Sequence, residues 1–320
     1  MVHATSEGAA LGLPTDVGAN QDMRRREQMR ARYPDVEGFV ERSGVRTFYE
    51  VYGEGEPAVL LMPTWSIIHS RHWKLQIPYL ARHSRVLTFD GRGNGRSDRP
   101  ADPEAYREEE FAADALAVMD ATSTERAVLV CLSRGAERSL LLAAHHPERV
   151  EGIVFIAPAL PLAPALPRSG ANQEFRERRD TYDGWGKYNR HYWVEHYDDF
   201  LDFFFSQCLT EPHSTKPHED TVDWGLETDG PTLVATQLAP RFQGEDDVLA
   251  LLSLIHCPVL VIHGSEDDVR PWASGARLAE LANGTFALLE GSGHLPHARD
   301  PVKVNLLLRD FIRSIGRTEV

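Results

Sequence analysis

The sequence predicts an α/β protein: a mostly parallel eight-stranded sheet flanked by helices, with a helical cap inserted near its middle. Three observations predict it. Short apolar runs alternate with segments of helical spacing along the chain. The apolar runs are continuous rather than alternating, which marks strands covered on both faces. One interval of roughly a hundred residues interrupts this rhythm, and it is far longer than an ordinary crossover.

Taken in order, residues 1–36 form an N-terminal extension. Its opening, "MVHATSEGAALGLPTDVGANQ", lacks a charged region ahead of an apolar core and so does not resemble a secretory signal. The basic cluster "MRRREQMRAR" at 23–32 reads as a solvated helical face. From 38 to 55 the chain alternates and ends in glycines, predicting an antiparallel hairpin. Six apolar runs follow at 57–62, 85–90, 127–132, 152–157, 258–264 and 285–290, each expected as a parallel strand. Helical spacing is found at 69–82, 103–121, 134–146, 271–283 and 297–315. The core is therefore expected over 37–160 and 256–320, with the cap at 161–255. Within that cap, 182–209 is unusually aromatic. Packing explains aromatics at helical spacing first, although a lid over an apolar pocket uses the same residues, which makes Trp185, Tyr188, Tyr192 and Trp193 candidate substrate contacts.

Composition narrows the function classes. Thirty-four Lys and Arg against 48 Asp and Glu give a formal charge of -14, which opposes nucleic-acid binding. No apolar run is long enough to span a bilayer, so no membrane partner is expected. Cys131, Cys208 and Cys257 are odd in number and widely spaced, fitting reduced thiols of a cytoplasmic protein. "HYWVEH" at 191–196 matches neither zinc-protease spacing, and no metal or cofactor is expected. The partner expected is a small-molecule substrate; oligomeric state is left open.

The chemistry centres on Ser133. "CLSRG" (131–135) lies between a buried strand and the helical segment "ERSLLLAAHHPERV". A sharp strand-to-helix turn exposes a serine hydroxyl, and the close backbone approach demands small residues two positions to either side. Gly135 meets that demand, and Cys131 is a compact substitute for glycine. Serine is also a common N-cap, so the context carries the reading. Farther on, "GSEDD" ends one strand and "GSGH" follows the last. Serine, acid, histidine is the required chain order, and loops leaving the carboxyl ends of parallel strands can converge. Ser133, Asp267 and His294 can therefore meet.

With "FDGRGNGRSDRP" (89–100) similar to the D-x-R-G-x-G-x-S turn, these segments resemble the α/β-hydrolase fold, of the capped serine esterase type, from about Gly38 to the C-terminus. The resemblance implies Ser133 as nucleophile, His294 as general base and then acid, and Asp267 as the group orienting the imidazole. Glu266 and Asp268 are then turn charges, Asp90 is structural and His263 supports the acid turn. "VFIAPALPLAPALP" offers no carboxylate as an alternative acid. "MPTWS" replaces the usual His-Gly of the oxyanion loop; matching it to the family places the first donor N–H on Trp65, with Ser66 its rival, and the second on Arg134. The Arg134 side chain either binds a substrate carboxylate or pairs with a cap carboxylate. Cys131 is assigned to packing.

The function implied is hydrolysis of a carboxylic ester or related acyl bond of a small to medium, partly apolar substrate, through an acyl-serine. Thioester, lactone or carbon–carbon bond hydrolysis, and acyl transfer or cyclisation in a biosynthetic pathway, are alternatives within the fold. A ligand receptor retaining the triad, or a catalytically idle binding protein, is the different class.

Overall fold

The computed structural model describes residues 30–164 and 172–315. Most of the N-terminal extension and residues 23–29 of the basic cluster lie outside the described residues. One eight-stranded sheet organises the molecule: β1 (Val36–Arg42), β2 (Val45–Tyr52), β3 (Val59–Leu61), β4 (Val86–Phe89), β5 (Ala127–Leu132), β6 (Val150–Ile156), β7 (Val259–Gly264) and β8 (Thr285–Leu289). The spatial order is β1-β2-β4-β3-β5-β6-β7-β8. β2 pairs antiparallel with β1 and β4, and every other pairing is parallel.

The hairpin turns on Ser43 (φ 52°) and Gly44 (φ 75°), the two positive dihedrals that a two-residue turn needs to match strand twist. Strands β3 to β7 are buried on both faces, as their unbroken hydrophobicity requires, whereas β8, at the sheet edge, is half-buried. In β5, Val128, Val130 and Leu132 enter one apolar layer, whereas Ala127, Leu129 and Cys131 enter the other. The second layer is closed by helices Glu108–Ala121, Gly135–His145 and Trp272–Leu281, and the first by helix Pro301–Ile315 and the inserted helices.

Three expected helices are divided: 103–121 into a 3₁₀ turn, Pro103–Tyr106, and helix Glu108–Ala121; 297–315 into Pro296–Arg299 and Pro301–Ile315; and 69–82. Residues 69–82 form a 3₁₀ turn, Ser70–Trp73, and a separate short helix, Ile77–Leu80. Pro78 lacks an N–H and would collide with the carbonyl four residues earlier, so it is tolerated only in a first turn.

β3 has β4 on one side and β5 on the other. Here the strand order reverses, opening a crevice beyond the carboxyl ends of β3 and β5. The loops after β3 and β5 carry Trp65 and Ser133. Between β6 and β7 run helices Asn172–Arg176, Arg190–Glu195, Tyr197–Cys208, Thr215–Gly225, Gly230–Leu238 and Glu245–Leu252. Arg190–Glu195, Tyr197–Cys208 and Gly230–Leu238 contact Trp65 through Trp193, Phe204 and Thr236; Glu245–Leu252 packs instead beside helix Gly135–His145, with Val248 in the second apolar layer. Among the described residues no helix is long and apolar enough to cross a membrane.

Candidate active site

Ser133 occupies the turn between β5 and helix Gly135–His145 at φ 50°, a left-handed conformation uncommon for a residue with a side chain. Its backbone is held from both sides. The N–H donates to Ile156 O (2.9 Å), and Ser133 O accepts from Ala136 N (3.1 Å) and Ala159 N (3.0 Å). Gly135 is required by contact: a Cβ there would lie 3.0 Å from Pro63 O and 3.1 Å from Cys131 Cβ. The loop after β3 thus abuts the elbow. Cys131 is fully buried, burial pushes its thiol up to about 12, and it serves packing rather than chemistry.

The acid and the histidine are in contact. His294 Nδ1 lies 2.7 Å from Asp267 Oδ2, which also accepts from His263 Nε2 at 3.0 Å. Asp267 Oδ1 accepts the N–H groups of Val269 and Arg270, each at 2.8 Å. Burial pushes this carboxyl up, but the His294 charge, hydrogen bonds from His263 and His294, and the His263 charge outweigh it and hold the group well below the usual carboxylate range. Asp267 therefore remains an anion oriented towards His294, whose Nε2 is the ring nitrogen left for a serine. Among the described residues no hydrogen bond joins Ser133 to His294, an arrangement common when no substrate tightens the contact.

Two loops carrying this pair are fastened together. Ser265 N donates to Leu289 O (3.1 Å) and Glu266 N to Ser292 O (2.9 Å). The inserted helices hold the other side: His294 N donates to Cys208 O (2.9 Å), and Gly293 N to Glu211 Oε1 (2.7 Å).

Asp90 accepts from Ser70 Oγ (2.6 Å), Ser70 N (3.1 Å) and Arg96 N (2.9 Å), and it organises the turn expected of it. Among the described residues the Trp65 and Arg134 N–H groups donate to no acceptor of the chain. Ser66 is tied by its hydroxyl to Arg92 O (2.6 Å) and by its carbonyl to Asn94 Nδ2 (2.9 Å). The Trp65 indole donates to Thr236 Oγ1 (2.9 Å) and packs on Trp193 (5.5 Å between ring centroids), Phe204 (5.5 Å) and Tyr188 (6.1 Å). Trp185 continues the same aromatic cluster through Phe203 (5.5 Å). Tyr192 bonds Asp199 (2.7 Å) and stacks on Tyr182 (5.0 Å), away from Trp65. In "HYWVEH", His191 bonds Arg176 O (3.3 Å) and His196 packs on Tyr192 (4.9 Å).

The Arg134 side chain differs from both expectations. Its carboxylate partner is Glu108 (3.5 Å), from the core rather than the insertion, which supplies the neutral acceptors Thr236 O (3.3 Å) and Gln237 Oε1 (3.2 Å). Burial pushes its guanidinium down to about 10.

Sequence reasoning missed Arg138. It bonds Glu108 through Nε (2.8 Å) and Nη2 (2.7 Å), and its Nη1 donates to Thr64 O (2.9 Å), pinning the loop beside the elbow. The available signal was a charge pair, Glu137-Arg138, in an otherwise apolar helix. It also missed His72 and His297, buried with 3.1 Å between ring nitrogens.

Residues 57–301 match the model of the alpha/beta hydrolase fold family. The chain belongs to the α/β-hydrolase family. At that level it is a hydrolase acting on small molecules. It is 28% identical over 294 residues to 2-hydroxymuconate semialdehyde hydrolase of Pseudomonas sp. strain CF600, covering 87% of this chain and 94% of that relative. It is 27% identical over 258 residues to 3-oxoadipate enol-lactonase 2 of Acinetobacter baylyi, covering 80% of this chain and 89% of that enzyme. An esterase from Exiguobacterium antarcticum superposes with a TM-score of 0.70 at 20% identity, covering 86% and 98% of the two chains, which is a likeness of fold.

Proposed function

We propose that this hydrolase cleaves a carboxylic ester, or the closely related bond of a lactone, through an acyl-Ser133 intermediate. The observation that carries the reading is the Asp267–His294 contact of 2.7 Å, on loops leaving the same sheet end as a serine at φ 50° between a strand and a helix. His294 Nε2 takes the Ser133 proton as Oγ attacks the carbonyl carbon. The Trp65 and Arg134 N–H groups stabilise the oxyanion, and the leaving alkoxide departs with the proton held by His294. Water, deprotonated by the same nitrogen, then attacks the acyl carbon and releases the acid and Ser133. Residues 161–255, carrying Trp185, Tyr188 and Trp193, act as a cap that encloses the substrate. The named hydrolase relative supports carbon–carbon cleavage as a second reading of the same site.

A fluorophosphonate probe followed by peptide mass spectrometry tests the nucleophile, with label expected on Ser133 alone. A burst of 4-nitrophenol from acyl esters is expected from wild type and absent from Ser133→Ala. Label elsewhere, or an undiminished burst in the variant, would overturn the assignment.

A further inference from the structure

Beside the elbow lies a cavity of about 540 Å³, within the range of small-molecule sites. Its wall touches the site at two points. Ala159 N is bonded to Ser133 O (3.0 Å), and Arg270 N to Asp267 Oδ1 (2.8 Å). Ser133 and His294 do not line it; it is a side chamber of the catalytic corner.

Its charge is unusual for a chamber beside an apolar lid. Arg176, Arg241 and Arg270 line it, together with Glu137 and Gln237. Arg241 is ion-paired with Glu137, and Glu108 is shared by Arg138 (2.7 Å) and Arg134 (3.5 Å). Asp267 is already engaged by two histidines and two amides. That leaves the Arg270 guanidinium without a hydrogen bond or ion pair among the described residues. In this arginine cluster Arg134 and Arg138 are buried and Arg241 and Arg270 half-buried, and among the described residues the carboxylates acting on it are Glu108, Glu137 and the engaged Asp267. Burial first, and then the Arg241 cation, push the Arg270 guanidinium below its ordinary value, and Arg134, Arg270 and Arg241 act together on the Tyr188 phenol. A half-buried guanidinium without a partner can take up a ligand, and a carboxylate is the ligand whose geometry matches its fork.

We infer that Arg270, supported by Arg241, binds a carboxylate of the substrate, so that the hydrolase prefers esters or lactones bearing a second, anionic group remote from the bond that is cleaved. This deepens the proposed function and rests on it for the identity of the scissile bond.

The test compares pairs of esters of similar size that differ in charge. With the carboxylate in the acyl chain, 4-nitrophenyl hydrogen glutarate is set against 4-nitrophenyl valerate; with it in the leaving group, 4-acetoxybenzoate is set against its methyl ester. Wild type is expected to favour the anionic member of at least one pair in kcat/KM, chiefly through KM. Arg270→Gln is expected to reduce that preference ratio by about tenfold to a hundredfold, the usual effect of losing a hydrogen bond to a charged group, and Arg270→Lys to restore part of it. Using a ratio within each variant cancels any general loss of activity. In parallel, glutarate binding is measured by calorimetry on Ser133→Ala and on Ser133→Ala/Arg270→Gln, and only the first is expected to bind. Ser133-dependent hydrolysis that ignores charge in both pairs, or glutarate binding that survives Arg270→Gln, overturns the anion site and leaves the proposed function standing. Arg270-dependent glutarate binding without Ser133-dependent hydrolysis of any ester supports the site and overturns the proposed function.

Discussion

Asp267 carries a charge that burial alone would remove. It survives because both oxygens are used: Oδ2 accepts from His294 and His263, and Oδ1 from two backbone amides. Asparagine in its place would present an NH₂ group to at least one of these donors and would no longer favour the His294 tautomer that the proposed mechanism needs. Asp267→Asn is expected to lower kcat by about 10³-fold or more, measured with a 4-nitrophenyl ester at neutral pH. Linkage sets the pH sign. A carboxyl with a depressed folded pKa contributes stability that is fully present above its unfolded value, about 4, and is lost as pH falls towards the folded value. The stability advantage of wild type over Asp267→Asn, read from urea midpoints, is therefore expected to be constant near neutrality and to shrink below pH ~4. At this scale the sequence was informative where chemistry is tied to local order: Ser133, Asp267 and His294 each follow a strand within a short motif. Arg138 was not legible, because its partners Glu108 and Thr64 come from other segments and no spacing rule connects them.

At the scale of elements, the site depends on two loops that approach more closely than a side chain allows. Gly264 ends β7, and a Cβ there would fall 2.1 Å from Ser292 O and 2.3 Å from Gly293 O. Those atoms are backbone of the loop that presents His294, so they cannot turn aside as a flexible side chain would. Gly264→Ala is expected to destabilise the protein by about 1–3 kcal/mol in urea unfolding, the usual cost of overpacking, and to lower kcat/KM by moving His294 relative to Asp267. Unchanged activity in a folded variant would show that the loops tolerate separation. Helix and strand positions were largely legible, because continuous apolar runs and helical periodicity are local properties. The division of 69–82 was legible in part: Pro78 was a visible interruption, whereas the tight turn at Ser70–Trp73 depends on Asp90, at the end of the neighbouring β4, accepting from Ser70.

Across the whole molecule, the segment after β3 is joined to the segment after β8 by two buried imidazoles. His72 Nδ1 lies 3.1 Å from His297 Nε2, and Gln76 Nε2 donates to His297 O (2.9 Å). Burial, followed by the nearby His294 charge, pushes His297 down to about 3; burial, followed by His297 and His69, depresses His72 as well. Both rings stay neutral in the folded protein, although an unfolded histidine protonates near pH 6.5. Their contribution is fully present above that pH and falls as the solution becomes more acidic, by about 1.4 kcal/mol per pH unit for each such group. Urea midpoints between pH 7.5 and 5 are expected to fall more steeply for wild type than for His297→Gln; equal slopes would show that the pair does not remain neutral.

What the sequence by itself determined was the architecture and the order of the chemical groups: eight strands, a long insertion between the sixth and seventh, and Ser133, Asp267 and His294 in turn. Those follow from hydrophobic periodicity and short motifs, which act over a few residues. Only the tertiary structure decided which charges share a buried volume. The partners of Arg134, Arg138, Arg241 and Arg270 are set by distances between segments far apart in the chain, and burial changes what a charge does. Nothing local in "SEDDVRP" distinguishes a solvated turn arginine from one held unpaired beside a cavity.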